Sequence, residues 1–324
     1  MAPNCRASFL TRRMAAGESG NSPYTKRTEP FMDTLEKLKS RQQERTALLN
    51  RAIALAHSDP YVCAAWLFGS GHRDNADAFS DIDLWMVVDD AHIEAIVTER
   101  HAYITQIGQP LLALDVPGNA PVGGGYLMLQ YPGAYGPLQV DWYWQPRAKA
   151  AIPDDARLLF DHCGLNRNVG SQSTDFSYLT QRLMPPAANP DRTTALKVLY
   201  ELTFCWCMAL IGAKKVARRE AESAGWLLQL AAEKLHKAQA LLPALKLPAL
   251  TPAPIEPTTI TLPEAMALLR QIQQGATELA SHLDALGEPL SAQLVPSINA
   301  FMDLAEAACA LDNASGLVRR CDDT

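Results

Sequence analysis

Residues 61–88 read YVCAAWLFGSGHRDNADAFSDIDLWMVV, and this stretch decides the fold. Residues 61–68 form a short apolar run, with Asp59-Pro60 before it and Gly69-Ser70 after it. Its length, Val62 and its aromatics mark a buried strand rather than a helix. Residues 81–88, DIDLWMVV, form a second run of the same kind after a ten-residue spacer.

The polar residues at these strand ends point to phosphate and metal chemistry. Gly69 has no Cβ, so backbone there can approach a ligand closely. Ser70 adds a hydroxyl and a backbone N–H. A helix starting there would turn free N–H groups and a positive dipole end toward an anion. Asp81 and Asp83 are two apart on a strand and face one side. Two such carboxylates repel, and a divalent cation resolves that cost. Mg²⁺ suits the place, because it takes a few carboxylates, waters and substrate phosphates. Asp141, in the strand-like LQVDWYW of residues 138–144, adds a third acid, with Val140 and Trp142 turned to the core. Three carboxylates can hold two metals about 4 Å apart. Arg73, in the spacer, is either a phosphate contact or, more commonly, a solvated loop charge.

Working outward, residues 33–57 carry Leu35, Leu38, Leu48, Leu49, Ile53 and Leu55 at helical spacing. Asp59-Pro60 ends that helix. Residues 93–107 fit another helix and 111–116 a third strand. Residues 117–125 form a Gly/Pro-rich loop, mobile around Gly123-Gly124-Gly125. Two further strands, 126–131 and 138–144, are joined through Pro132-Gly133 and Gly136-Pro137. The second half changes character. Residues 193–216 and 223–242 are apolar at helical spacing, and 243–263 is a Pro-rich linker or ordered loop. Thr261 and Glu264 have capping-box spacing, and a last helix ends near Leu311. The fold class expected is α/β (α+β): a catalytic domain with a mixed sheet at 33–165, then an all-α helical bundle at 175–316. Residues 1–31 are polar and read as a disordered extension, or as sequence upstream of a start at Met14 or Met32. Their arginines are also compatible with a transit peptide.

Composition sets outer limits. The 324 residues carry 29 basic and 35 acidic side chains, a net charge of −6. That balance argues against non-specific nucleic-acid binding. The longest apolar run, residues 202–213, falls short of the roughly 18 residues of a membrane crossing. The seven cysteines are scattered without CxxC pairs, which fits a reduced, cytoplasmic compartment. Cys205 and Cys207 read as buried thiols.

Gly69-Ser70, a ten-residue spacer, Asp81-Ile82-Asp83 and a later strand aspartate, Asp141, together resemble the DNA polymerase β-like nucleotidyltransferase superfamily. The flanking LFGSGHRDNADAFSDIDLWMVV is similar to bacterial antibiotic nucleotidyltransferases, which modify lincosamides and aminoglycosides. The resemblance covers residues 61–144. It implies that Gly69 and Ser70 hold the β- and γ-phosphates and that Asp81, Asp83 and Asp141 bind two Mg²⁺ ions. It also implies a helical substrate-binding domain after the catalytic one. The activity implied is transfer of a nucleoside monophosphate, AMP from ATP, to a hydroxyl of a small molecule such as an antibiotic, with release of pyrophosphate.

Such a transfer benefits from a general base. Glu201, in the helix 193–216, is one candidate. The plainer reading pairs it with Lys197 four residues earlier. Lys214, Lys215, Arg218 and Arg219 read as a cationic cap at that helix's C-terminus, with phosphate neutralisation as the alternative. Other functions stay open: adenylylation of a protein partner, as by antitoxin-like members of the superfamily, or nucleotide binding without catalysis. A polymerase on RNA or DNA is the weakest, because the helical half shows no basic stripe.

Overall fold

The computed structural model describes residues 25–69, 76–153, 156–165, 170–172, 190–245, 260–285, 287, 290–311 and 318. The run quoted above supplies the two strands from which a mixed six-stranded sheet is built. β1 (Val62–Phe68) pairs antiparallel with β2 (Ile82–Val88). β3 (Leu112–Leu114) pairs antiparallel with β4 (Gly125–Tyr131), and β4 with β5 (Leu138–Pro146). β5 and β2 close the centre as the one parallel pair of this sheet. β6 (Ala151–Pro153) and β8 (Gly170–Gln172) make a small parallel pair of their own. β7 (Arg157–Asp161) flanks β1, so the order is β3-β4-β5-β2-β1-β7.

β1, β4 and β5 are buried at every residue. A sheet covered on both faces needs no polar alternation, which is why these strands read as continuous apolar runs. One face carries Leu67, Leu84, Leu127, Trp142 and Trp144. It packs against α1 (Thr25–Ser58) and the short α2 (Ile93–Thr98) and α3 (Arg100–Ile104). The other face carries Trp66, Phe68, Trp85, Tyr126 and Tyr143. Its apolar side chains are continuous with those of α4 (Pro190–Ala217), α5 (Ala221–Ala240), α6 (Leu262–Asp284), α7 (Leu290–Gln293) and α8 (Val295–Ala310). The helical half therefore shares its core with the sheet instead of standing apart from it.

Several details differ from the sequence reading. α1 starts at Thr25, ahead of the expected boundary, and residues 1–24 lie outside those described. The expected helix 93–107 breaks at Glu99 into α2, α3 and a closing 3₁₀ turn. The capping box holds: the Thr261 hydroxyl accepts from the Glu264 N–H, and the Glu264 carboxylate accepts from the Thr261 N–H. Of the Pro-rich stretch, residues 246–259 lie outside the described residues. Among the described residues, one helix, α4, is long and apolar enough to cross a membrane by length and composition, where none was expected. Half of its apolar window is buried inside the protein. Its Cys205, Trp206 and Cys207 are core side chains, the two cysteines free thiols as expected.

The triple glycine is a tight turn, not the loose loop expected. Gly124 N–H donates to Pro121 O, and a Cβ on Gly124 would stand 1.8 Å from the Trp144 carbonyl oxygen. The glycine is what lets β4 start flush against β5. Gly124→Ala is expected to lose about 3 kcal/mol or more, because the obstacle is backbone that cannot move aside. A urea-unfolding midpoint measures this, and a wild-type value would refute the packing described.

Candidate functional site

Asp83 and Asp141 are register partners on the parallel strands β2 and β5, and Asp81 precedes β2 by one residue. Their neighbours Ile82, Leu84, Val140 and Trp142 fill the core on the α1 side. By alternation the three acids share the opposite face. Gly69 follows β1 directly, where Phe68 is paired with Asp83. It has φ of 70°, and a Cβ there would meet Asp83 Oδ2 at 2.5 Å. Only glycine accepts both conditions. Ser70 and Arg73, the other two phosphate candidates, lie outside the described residues.

Two helices fix the approach to β2. From α1, Gln42 Nε2 donates to Ala76 O (3.2 Å) and Arg41 Nε to Ala78 O (2.9 Å). Arg45 Nε donates to Ser80 O and its Nη2 to Asp81 O, both at 2.8 Å. These carbonyls are thus satisfied without a sheet partner. Arg218, the residue that follows α4, makes a two-pronged bond to the Asp77 carboxylate, at 2.9 and 2.8 Å. One turn earlier, Lys214 Nζ lies 3.3 Å from Asp81 Oδ2 and donates to Gln139 Oε1 at 2.7 Å. Gln139 Nε2 donates to Asp141 Oδ2 at 2.9 Å, and the Tyr126 hydroxyl to Asp141 Oδ1 at 3.3 Å.

The basic tail of α4 is therefore not a simple C-terminal cap. Lys214 and Arg218, four residues apart, turn to the acids. Lys215 pairs with Glu220, and Arg219 Nε donates to Cys309 O. Sequence reasoning missed Asp77, Gln139 and Tyr126, and weighed Lys214 and Arg218 as a cap or as phosphate neutralisers, not as partners of the acids. The available signal was a pair of cations at helical spacing closing an otherwise apolar helix.

The charges are unequal in their comfort. Burial pushes the Asp81 carboxyl up, but Lys214 and Arg218 together overcome it and hold it below the usual range. Burial, then repulsion from Asp81 and Asp141, raises Asp83 well above the usual range. Burial and Asp81 raise Asp141 to about 7, against the pull of Lys214 and the bonds from Gln139 and Tyr126. The donor set is all carboxylate oxygen, the kind a hard divalent cation takes. Two of its members are short of positive charge, so Asp81, Asp83 and Asp141 fit such an ion. Among the described residues no three His, Cys, Asp or Glu side chains close into a ready cage. Asp81 is instead engaged with Lys214.

Glu201 is not brought to these acids. It precedes Lys214 by thirteen residues on α4, about 20 Å along the axis. Its carboxylate pairs across helices with Lys234 of α5 at 3.1 Å, rather than along the helix with Lys197. Two surface cavities, of 420 and 190 Å³, also lie elsewhere, one beside Glu44, Arg51 and Pro132 and the other between α5 and α6. Neither is lined by the three acids. Against known proteins, no family model matches this chain and no curated protein matches it significantly. The resemblance drawn above rests on its residues alone.

Two stability tests follow from this geometry. Arg218→Met leaves Asp77, 3% exposed, without its guanidinium partner. It is expected to lose about 3–5 kcal/mol in urea unfolding, and adding Asp77→Asn should restore part of that loss. For Asp141, the folded protein keeps a proton that the unfolded chain has already released. Stability of the cation-free protein therefore falls as pH rises from the ordinary carboxylate range toward about 7. Asp141→Asn removes that penalty. Its melting temperature should exceed wild type by several degrees at neutral pH, with a margin that shrinks steadily on acidification. A margin independent of pH would contradict the assignment.

Proposed function

We propose that this chain is a nucleotidyltransferase that moves AMP from ATP to a hydroxyl of a small molecule, such as an antibiotic, and releases pyrophosphate. The observation that carries this reading is the register of Asp83 against Asp141, with Asp81 on the same face and Gly69 at the adjoining strand end. Gly69 beside the carboxylates at one strand end supports the reading, because such a place suits a triphosphate held with its cation.

In this reading Asp81, Asp83 and Asp141 hold two Mg²⁺ ions. When bound, the cations neutralise the triphosphate and lower the proton affinity of the attacking hydroxyl. The acceptor oxygen attacks the α-phosphorus in line; the new P–O bond forms as the bond to the β-phosphate oxygen breaks. With Asp141 held as a cation ligand, the hydroxyl proton passes to water. Gln139 and Tyr126 orient the two oxygens of Asp141. Gly69 keeps backbone close to the phosphates. The helical half, packed on the same sheet face, supplies the wall on which an acceptor rests. A cytoplasmic setting is part of the same proposal.

The test is pyrophosphate release with Mg²⁺ and each common nucleoside triphosphate, against a panel of lincosamides and aminoglycosides, with product masses measured alongside. An acceptor gaining the mass of one nucleotide is expected, with Asp81→Ala reduced at least about a thousandfold. Full activity in Asp81→Ala would overturn the reading. A nucleotide found on a co-purified protein instead would keep the chemistry and change the acceptor.

A further inference from the structure

We propose that Lys214 is a built-in counter-ion of the acidic face, holding Asp81 until a divalent cation displaces it. The inference rests on the reading of Asp81, Asp83 and Asp141 as cation ligands. It goes beyond that reading by assigning a competitor to the cation from this chain itself.

The geometry at Lys214 is that of a releasable contact. Its Nζ is 3.3 Å from Asp81 Oδ2 but 2.7 Å from the neutral Gln139 Oε1. A charge-assisted bond ordinarily closes to about 2.7–2.9 Å. The ammonium is thus seated on the amide and only leans on the carboxylate. The two partners also differ in access: the Lys214 side chain is 5% exposed and that of Asp81 32%. A hydrated cation can reach Asp81 from the open side while Lys214 remains covered.

Arg218 shows the contrasting arrangement one turn away. Its planar fork is locked on Asp77 by two short bonds. That pair keeps the end of α4 in place whatever Lys214 does. A lysine stem has four rotatable carbons and a compact point charge, so it can withdraw without moving its helix. A cation arriving at Asp81 meets both an occupied oxygen and a like charge. Lys214 should therefore weaken cation binding to the nucleotide-free protein and lessen the penalty of three unneutralised acids.

The experiment is titration of the full, nucleotide-free chain with Mn²⁺, reading free ion by electron paramagnetic resonance. Wild type, Lys214→Met, Lys214→Gln, Lys214→Arg and Asp83→Asn are compared. Lys214→Met and Lys214→Gln should each bind Mn²⁺ about tenfold more tightly or better, and Lys214→Arg should stay near wild type. Lys214→Gln carries the test where the methionine variant fails to fold. Equal affinity in wild type and the neutral variants, with binding lost in Asp83→Asn, would overturn the counter-ion and leave the cation site standing. Binding in none of them would overturn both.

Discussion

Carboxylates packed side by side on the inner strands of a sheet are tolerated only where positive charge is supplied from outside it. This constraint organises the molecule. β2 and β5 set Asp83 against Asp141, and neither strand carries a cation of its own on that face. The charge arrives from helices far away in sequence. α4 contributes Lys214 from the bundle side and the residue just past its end contributes Arg218, while α1 contributes Arg45 at the carbonyls of Ser80 and Asp81. Helices that cover the sheet for apolar reasons thus also anchor the segment that leads into it.

Two different designs meet at the end of α4. The Arg218–Asp77 pair is almost wholly buried, bidentate and further braced by the Ser80 hydroxyl, which donates to Asp77 Oδ1 at 2.9 Å. Such a pair fixes position. The Lys214–Asp81 contact is longer and open to solvent on the acid's side. Beyond it, Asp83 and Asp141 hold protons more firmly than carboxylates usually do, because burial and mutual repulsion act together. The face is therefore firm in its framework while two of its three carboxyls lack a positive partner of their own among the described residues, the feature on which the proposed cation site rests.

Much of this was legible in the sequence. Short apolar runs bounded by Gly and Pro mark β1, β2, β4 and β5, since burial on both faces, complete in β1, β4 and β5 and broken only at Asp83 in β2, leaves them without polar alternation. The DxD spacing and the Asp141 alternation place the three acids on one face before any contact is known. What stayed hidden was long-range. Lys214 meets Asp81 across 133 residues and Arg218 meets Asp77 across 141, and no local period encodes such pairings. For the same reason Glu201 was offered Lys197 as its partner, when the neighbour in space is Lys234. α4 is apolar around most of its circumference, so its pattern did not reveal that it spans between sheet and bundle. β7 was passed over because RLLFD is short and charged at both ends, as an edge strand can be.

The central claim is that the acids and Gly69 form one place for a cation-bound triphosphate. Calorimetric titration with a non-hydrolysable ATP analogue, with and without Mg²⁺, tests it most directly. The account predicts binding that requires Mg²⁺ and disappears in Asp83→Asn, while the far-ultraviolet circular dichroism of that variant stays native. Binding of equal strength without Mg²⁺, or undiminished in Asp83→Asn, would contradict it.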